Sequence, residues 1–415
     1  MDVLKHNLDE LLESSTNYLE SSTNYLLLQG PIGPFFTELS AWLKTFHKQV
    51  FKINFNSGDE AFYPNSIPQT FAYQGQLDQF DQYLRFFCHQ HSIDAIICFG
   101  DTRAYHRIAK IVADKQKISF WVFEEGYLRP EYVTLEKGGV NDYSQLPRHA
   151  NFFLSQAACC SEISAPEKLA KGFIPLATIA IKYYTKAYFN QDKYPDYQHH
   201  RILDLKYYIK LWLTSGIKRA YYYWQDRSFG KKVAAGKLGD FFLVPLQVYD
   251  DSQVRIHCDY ESVDAFLKEI LESFIHHAPS ALNLIIKHHP MDRGFVDYGH
   301  VIKQYKTQYP AFKKRIFYVH DVPTPILLRK GKGMITLNST SGISALLHRM
   351  PVLTLGRASY NFEGLTYQGN LHSFWHNKGL PEAKVFDAYR KYHLSKTQIN
   401  GSFYSKVILR YPYNQ

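Results

Sequence analysis

Short apolar segments alternate with amphipathic helical segments along this chain, and the alternation occurs in two separate blocks. In the first block, "YLLLQGP" (25–31), "VFKINFN" (50–56), "IDAIICFG" (93–100) and "ISFWVFEEG" (118–126) have the length and composition of buried strands. Helical patterns fill the intervals between them. Such alternation is typical of a parallel sheet with helices on both faces, and it resumes near residue 239. The sequence therefore predicts two Rossmann-like units.

The length of 415 residues exceeds what one ordinary core holds, which also favours two domains. We predict an α/β, GT-B-like fold in which two Rossmann-like domains face a central cleft, with an aromatic and basic helical insertion. The predicted parts are a variable leader with a tandem "LESSTNY" heptad (1–25), an N-terminal Rossmann-like domain (26–160), the basic aromatic helical segment (161–236), a C-terminal Rossmann-like domain (237–375) and a C-terminal helix and tail (376–415).

The net charge of +10 permits three kinds of partner: nucleic acid, an anionic membrane surface or an anionic substrate. Much of the excess lies between residues 182 and 232, where Lys and Arg are interleaved with Tyr and Trp. That pattern is typical of helices at a lipid interface, and the alternative is an aromatic helical hairpin packed on its own domain. We expect no nucleic-acid partner.

Targeting signals and metal motifs are not evident. No apolar run approaches the roughly 20 residues of a spanning helix, and the first residues lack the pattern of a signal peptide, so we expect a cytoplasmic protein. The five cysteines show no CxxC spacing, so neither a disulfide framework nor a zinc site is expected.

Polar residues follow the predicted strands of the first domain. Because ligands of such sheets bind beyond the carboxyl ends of the strands, these residues are site candidates. They are Gly30 in "QGPIGPFF", Asp101, Arg103 and His106 in "FGDTRAYHR", and Glu124, Glu125 and Arg129 in "FEEGYLRP". "QGPIGPFF" is not a nucleotide loop, which suggests an acceptor-binding half. For the "FGDTRAYHR" residues the alternative is an ion-pair network at the domain surface.

The second domain carries a different set of strand-end residues. They are Lys287, His289, Pro290 and Arg293 in "KHHPMDRG", Asn338, Ser339 and Thr340 in "NSTSGISALL", and Gln247 and Asp251 in "PLQVYDDSQ". The first cluster suits a dianionic ligand better than a metal, since adjacent histidines on a strand point to opposite faces. The hydroxyl-rich turn before a helix forms an anion site or a simple helix cap. The second domain therefore favours a phosphate carrying a nucleoside or sugar.

These motifs, together with "NFNSGDEAFY" and "GLTYQGNLHSFW", resemble the capsule polysaccharide biosynthesis and export family, KpsS/LipB type, over roughly Leu26 to Trp375. The resemblance implies a retaining β-Kdo glycosyltransferase that moves Kdo from CMP-Kdo to a phosphatidylglycerol acceptor and starts the poly-Kdo linker of a capsule. It implies no cofactor and no metal. It places the protein at the inner-membrane surface, with other capsule assembly or export proteins as further partners. The alternative is a non-catalytic export component that binds the glycolipid or the transporter.

The same resemblance implies roles for individual residues. His289, Pro290, Asn338, Ser339 and Thr340 would hold the CMP phosphate in the C-terminal, nucleotide-sugar domain, and Lys287 and Arg293 are added on charge grounds.

In the N-terminal, acceptor-side domain, related Kdo transferases have Glu-Asp-Gly where this chain has Glu-Glu-Gly, which gives Glu125 the nucleophile's position. Glu124 would support it from the other face of the strand, Asp101 or His106 would act as base, and Arg129 would pair with a carboxylate.

Overall fold

The computed structural model describes residues 3–13, 23–162, 165–169, 173–198, 205–249, 254, 256–377 and 379–414. The chain forms two compact units. Unit 1 combines residues 1–146, 157–205 and 390–415, and unit 2 combines residues 147–156 and 206–389. The two predicted Rossmann-like units are confirmed, since each contains a sheet with parallel strands. The C-terminal segment from residue 390 onward belongs to unit 1.

The strands and helices follow in chain order. The strands are β1 (Asn24–Leu27), β2 (Gln49–Asn54), β3 (Thr70–Ala72), β4 (Ala95–Phe99), β5 (Ser119–Glu125), β6 (Tyr132–Lys137), β7 (Phe241–Pro245), β8 (Asn283–Lys287), β9 (Ile316–Val319), β10 (Gly333–Thr336), β11 (Val352–Thr354) and β12 (Gln398–Asn400). The α-helices are α1 (Asn7–Glu13), α2 (Phe35–Thr45), α3 (Ser57–Glu60), α4 (Phe80–Gln90), α5 (Ala104–Gln116), α6 (Ala150–Gln156), α7 (Phe173–Phe189), α8 (Leu205–Ala234), α9 (Val263–His277), α10 (Gly299–Gln308), α11 (Thr324–Lys330), α12 (Ser341–Leu347), α13 (Leu371–Phe374) and α14 (Ala383–Lys396).

Unit 1 is built on a seven-stranded sheet in the order β12-β6-β5-β4-β1-β2-β3. The five strands β5, β4, β1, β2 and β3 are parallel. The alternating pattern predicts all of them except the short β3, and β6 and β12 extend the sheet in antiparallel pairings. The carboxyl ends of β1, β4 and β5 therefore meet at one edge, the place where such sheets bind ligands. Side chains alternate along β5: Trp121 and Phe123 lie in one core, and Phe120 and Val122 lie in the other.

The short helix α1 lies inside the region that the sequence analysis treated as a variable leader. Its three leucines, Leu8, Leu11 and Leu12, are buried in the same core as Trp121 and Phe123. Burying a leucine side chain contributes roughly 2 kcal/mol, so α1 is a structural part of unit 1. Residues 14–22, which hold most of the tandem heptad, lie outside the described residues.

Unit 2 is built on a five-stranded parallel sheet in the order β11-β10-β7-β8-β9. Helix α9 packs on it through Phe266, Ile270 and Phe274, which recur at helical spacing and are fully buried. Ser262 caps the start of α9, since its side chain accepts a hydrogen bond from the N–H of Ala265 at 3.1 Å. Because β7 lies between β8 and β10, the segments that follow these three strands are neighbours.

The basic aromatic segment contains two long helices, of which α7 belongs to unit 1 and α8 to unit 2. One face of α8 packs on unit 2: the ring of Tyr222 stacks on His320 at 3.5 Å, and Phe229 contacts Phe317 at 5.0 Å. This face packs on its own unit, as the alternative predicts, but α7 and α8 belong to different units and so are not one hairpin on one domain. Within the described ranges, no helix is long and apolar enough to cross a membrane.

Candidate active site

Glu124 and Glu125 are the last two residues of β5, and both pair with the neighbouring strand β6. Because the strand continues through Glu125, the two carboxylates project to opposite faces of the sheet, as the sequence analysis predicts. Gly126 follows directly, and a Cβ there would overlap the carbonyl oxygen of Tyr132. Only glycine therefore lets the chain turn back at the end of β5.

Glu124 lies beside the end of β4. A Cβ placed on Gly100 would be 3.7 Å from its Oε2 atom, and its Oε1 atom accepts a hydrogen bond from the N–H of Glu125 at 2.9 Å. Burial raises the pKa of the Glu124 carboxyl to about 7, against the opposing effect of that N–H. The negative charges of Glu125 and Asp101 raise the same pKa further. A carboxyl with a pKa near 7 is suited to acid–base chemistry at neutral pH.

Glu125 lies on the other face, against the C-terminal tail. The hydroxyl of Tyr404 lies near its carboxylate, where it can act as a hydrogen-bond donor. Burial, and then the charge of Glu125, raise the pKa of Tyr404 well above its ordinary value, so the hydroxyl stays protonated and remains a donor. Sequence analysis missed Tyr404, because no local pattern connects a residue in the tail with a strand end so far upstream.

Arg129, in the turn after β5, is exposed, and its Nε donates to the carbonyl oxygen of Gly126 at 3.2 Å. Its positive charge lowers the pKa of Glu124, although this is the smallest of the effects on that group. Arg129 therefore lies near the end of β5 that carries Glu124 and Glu125, where it can pair with an incoming carboxylate.

Asp101 and His106 are buried behind the strand ends. Asp101 accepts a hydrogen bond from the N–H of Val140 at 2.9 Å, and burial raises its pKa to about 6. The Nδ1 of His106 donates to the carbonyl of Gly100 at 2.5 Å. Burial, followed by the charge of Arg103, lowers the pKa of His106 to about 3. His106 is therefore a neutral, enclosed ring that supports the turn after β4.

Arg103 and Gly30 connect the ends of β1 and β4. Arg103 donates from Nη1 to the side-chain oxygen of Gln29 at 2.7 Å and to the carbonyl of Gly30 at 3.4 Å. A Cβ at Gly30 would approach the ring of Phe36 to 2.8 Å. These contacts are hydrogen bonds, and Asp101 and His106 are buried, so the cluster differs from the surface ion-pair network considered as its alternative.

A buried basic pair stands at the end of β8 in unit 2. Lys287 and Arg293 are each only 7% exposed, and both donate to the carbonyl of His320 at 3.4 Å. Arg293 also forms an ion pair with Asp321. Burial, and then the charge of Arg293, lower the pKa of Lys287 to about 8. The negative charges of Asp321 and Asp226 act on Lys287 in the opposite direction, so the two cations are partly balanced by neighbouring carboxylates.

The loop that follows β9 is held by Asp226, a residue of α8 that sequence analysis missed. Its Oδ2 accepts hydrogen bonds from the N–H groups of His320 and Asp321, at 2.6 and 2.7 Å. The Asp226 side chain is buried, so these are charge-assisted bonds shielded from water. Asp226 therefore positions the loop that accepts from Lys287 and Arg293.

The two histidines of "KHHP" differ in environment. His288 is buried, with its Nδ1 atom 2.7 Å from the hydroxyl of Tyr318. His289 is half-buried, and its Nδ1 accepts from the N–H of Met291 at 3.2 Å, which caps a short 3-10 turn beginning at Pro290. Of these two rings, His289 is the one that reaches the surface.

Gln247 and Asn338 follow the neighbouring strands β7 and β10 and are joined to each other. The Gln247 amide donates to the Asn338 side-chain oxygen at 3.0 Å, and the Asn338 N–H donates back at 3.3 Å. Ser339 accepts from the N–H of Ser341 at 3.2 Å, which fits the capping interpretation of that turn. Thr340 is half-buried directly before α12, and its side chain makes no cap hydrogen bond. Asp251 lies outside the described residues.

The strand-end groups thus form two sets, one in each unit. The carboxylates lie at the end of β5 in unit 1, and the basic, amide and hydroxyl groups follow β7, β8 and β10 in unit 2. Among the side chains that the structure describes, no group of three or more His, Cys, Asp or Glu residues could hold a metal ion.

Comparison with known proteins identifies relatives over almost the whole chain. Residues 94–404 match the family model described as capsule polysaccharide biosynthesis protein. The chain is 52% identical over 407 residues to the capsule polysaccharide modification protein LipB of Neisseria meningitidis serogroup B, covering 98% of this chain and 96% of the relative. It is 39% identical over 381 residues to the capsule polysaccharide export protein KpsS of Escherichia coli, covering 91% and 96%.

Solved structures include a more remote neighbour. The beta Kdo 2,7 transferase of Thermosulfurimonas dismutans KpsC is 13% identical, with a TM-score of 0.40 over 87% of this chain and 89% of that chain.

Proposed function

The chain belongs to the capsule polysaccharide biosynthesis protein family, and we propose that it is a retaining β-Kdo glycosyltransferase. In this proposal it moves Kdo from CMP-Kdo to a phosphatidylglycerol acceptor and starts the poly-Kdo linker of a capsular polysaccharide. The observation that carries the proposal is the pair Glu124 and Glu125, two adjacent carboxylates in different environments at a strand end. Retention by double displacement needs a nucleophile and a base, and a carboxylate can serve as either.

The first displacement assigns the nucleophile to Glu125. Its carboxylate attacks the anomeric carbon of Kdo, a carbon–oxygen bond forms, and the bond between that carbon and the phosphate oxygen breaks. The electron pair leaves with CMP. Tyr404, whose hydroxyl can donate to Glu125, holds the carboxylate in one orientation.

The departing phosphate is assigned to unit 2. His289, Ser339 and Thr340 are half-buried and can contact the phosphate. Asn338 and Gln247 support this site through the hydrogen bond between their side chains. Lys287 and Arg293 are too enclosed for this role and instead donate to the carbonyl of His320, which holds the loop after β9. Stabilising charge on a leaving group in this way lowers the barrier without a metal or other cofactor.

The second displacement assigns the base to Glu124, whose Oε1 atom accepts the N–H of Glu125 at 2.9 Å and so stays at the end of β5 although the side chain starts from the opposite face. The acceptor hydroxyl transfers its proton to Glu124 and attacks the anomeric carbon, and the bond to Glu125 breaks and restores its carboxylate. Two inversions give net retention. Asp101 and His106, the earlier candidates for base, are more deeply buried than Glu124. The central cleft that would bring donor and acceptor together stays a prediction.

Product formation tests the proposal. Purified protein is incubated with CMP-Kdo and phosphatidylglycerol, and the release of CMP is measured together with the formation of Kdo-phosphatidylglycerol. We expect both products with wild type and neither with Glu125→Gln, whose affinity for CMP stays within about twofold because CMP is bound elsewhere. Binding of the glycolipid without CMP release by wild type would instead support the non-catalytic export component.

A further inference from the structure

Helix α8 has two apolar stripes, and only one of them packs on unit 2. The apolar members of the packed stripe are Leu211, Tyr222, Phe229 and Val233, which recur after four residues or after multiples of the helical spacing. The buried carboxylate of Asp226 lies on the same side of the helix. The average helix of a globular protein needs one such stripe. A second one requires a separate explanation.

The second stripe points away from unit 2. Leu213, Ile217, Tyr221 and Trp224 follow one another at intervals of four, four and three residues, and they are 66, 74, 63 and 73% exposed. At 1.5 Å per residue the stripe is about 16 Å long. A contiguous row of large apolar side chains at this exposure marks an interaction surface.

The charges around this stripe are almost all of one sign. Between Lys210 and Lys232 the helix carries six basic residues: Lys210, Lys218, Arg219, Arg227, Lys231 and Lys232. Its single acidic residue in that range, Asp226, is buried and bonded to the loop after β9. The outer surface of α8 is therefore apolar along its middle and positively charged at its edges.

We propose that this outer stripe of α8 is a docking surface for an anionic phospholipid bilayer, with the helix lying in the plane of the membrane. Apolar and aromatic side chains would enter the acyl boundary while Lys and Arg contact lipid phosphates. A second copy of the chain fits less well, because a symmetric contact through the same stripe would bring basic residues against basic residues. This proposal does not depend on which reaction the protein catalyses.

Vesicle co-sedimentation of the full chain tests the proposal. The probes are phosphatidylcholine vesicles and equimolar phosphatidylcholine–phosphatidylserine vesicles, since phosphatidylserine supplies the charge without being the proposed acceptor. The test variant is Ile217→Glu with Trp224→Glu. Its matched control is Phe86→Glu with Ile111→Glu, two side chains 68 and 51% exposed on α4 and α5 of unit 1, with the same change in net charge.

We expect wild type and the control to bind the phosphatidylserine-containing vesicles equally and the test variant to bind them about tenfold less. All three proteins should bind little to vesicles of phosphatidylcholine alone. Circular dichroism verifies folding, and Ile217→Ser with Trp224→Ser replaces the test variant if that one unfolds. Equal binding by test variant and wild type overturns the proposal. So does a wild-type dimer, seen by ultracentrifugation without vesicles, that the test variant converts to monomer.

Discussion

Glu124 and Glu125 are consecutive in the chain, yet their carboxylates leave β5 on opposite faces and lie against different partners. Glu124 lies beside Gly100 and accepts the N–H of Glu125, whereas Glu125 lies near the hydroxyl of Tyr404. Two carboxylates whose surroundings differ in this way can divide the roles of base and nucleophile.

The raised pKa of Glu124 makes stability depend on pH. The folded protein holds the proton more tightly than the unfolded chain, because the pKa rises from 4.5 to about 7. The contribution of Glu124 to the free energy of unfolding is therefore fully present below pH 4.5 and is lost as pH rises through about 7.

Relative to Glu124→Gln, wild type should lose on the order of 2 kcal/mol of unfolding free energy as the pH rises across that range. Urea unfolding of both proteins at several pH values measures this difference. If the difference in unfolding free energy between wild type and Glu124→Gln stays constant with pH, the raised pKa of Glu124 is contradicted.

Tyr404→Phe tests whether the tail orients the nucleophile. We expect kcat to fall about tenfold while KM for CMP-Kdo changes little, since the lost hydroxyl acts on Glu125 and not on the nucleotide. Tyr411→Phe is the matched control, because the hydroxyl of Tyr411 in the same tail donates to Glu13 at 3.1 Å and lies away from β5. Equal effects of the two substitutions would show that the tail acts only on stability.

Asp226→Ala tests the loop behind the proposed phosphate site. Removing the carboxylate leaves the buried N–H groups of His320 and Asp321 without their acceptor, which should cost about 2–4 kcal/mol of unfolding free energy. Affinity for CMP, measured by calorimetry, should fall as well. Asp240→Ala is the control, since its 3.7 Å ion pair with Lys332 is exposed and worth less than about 1 kcal/mol. Unchanged CMP affinity in Asp226→Ala would show that the loop after β9 does not contribute to the phosphate site.

Apart from the three-residue strand β3, the parallel strands and the residues at their ends were predictable because both follow from local patterns. "ISFWVFEEG" has the composition of a buried strand, and β5 ends at Glu125 as predicted. The antiparallel strands β6 and β12 were not predicted, since neither belongs to a strand–helix alternation.

Contacts between distant segments were also beyond sequence reasoning. The interaction of the Tyr404 hydroxyl with Glu125 and the hydrogen bonds from His320 and Asp321 to Asp226 join residues far apart in the chain. Local periodicity says which residues face a core, and not which element covers it. The same limit explains α1, whose leucines complete a core formed by later strands.

In the proposed reaction, Glu125 is the nucleophile and Glu124 is the base of the second step. Mass spectrometry of the peptide containing both residues, after incubation with CMP-Kdo and then with phosphatidylglycerol, tests it directly. We expect a Kdo-sized adduct on Glu125 in wild type, a longer-lived adduct in Glu124→Gln after the acceptor is added, and none in Glu125→Gln. Normal turnover by Glu125→Gln, or an adduct on Glu124, would contradict it.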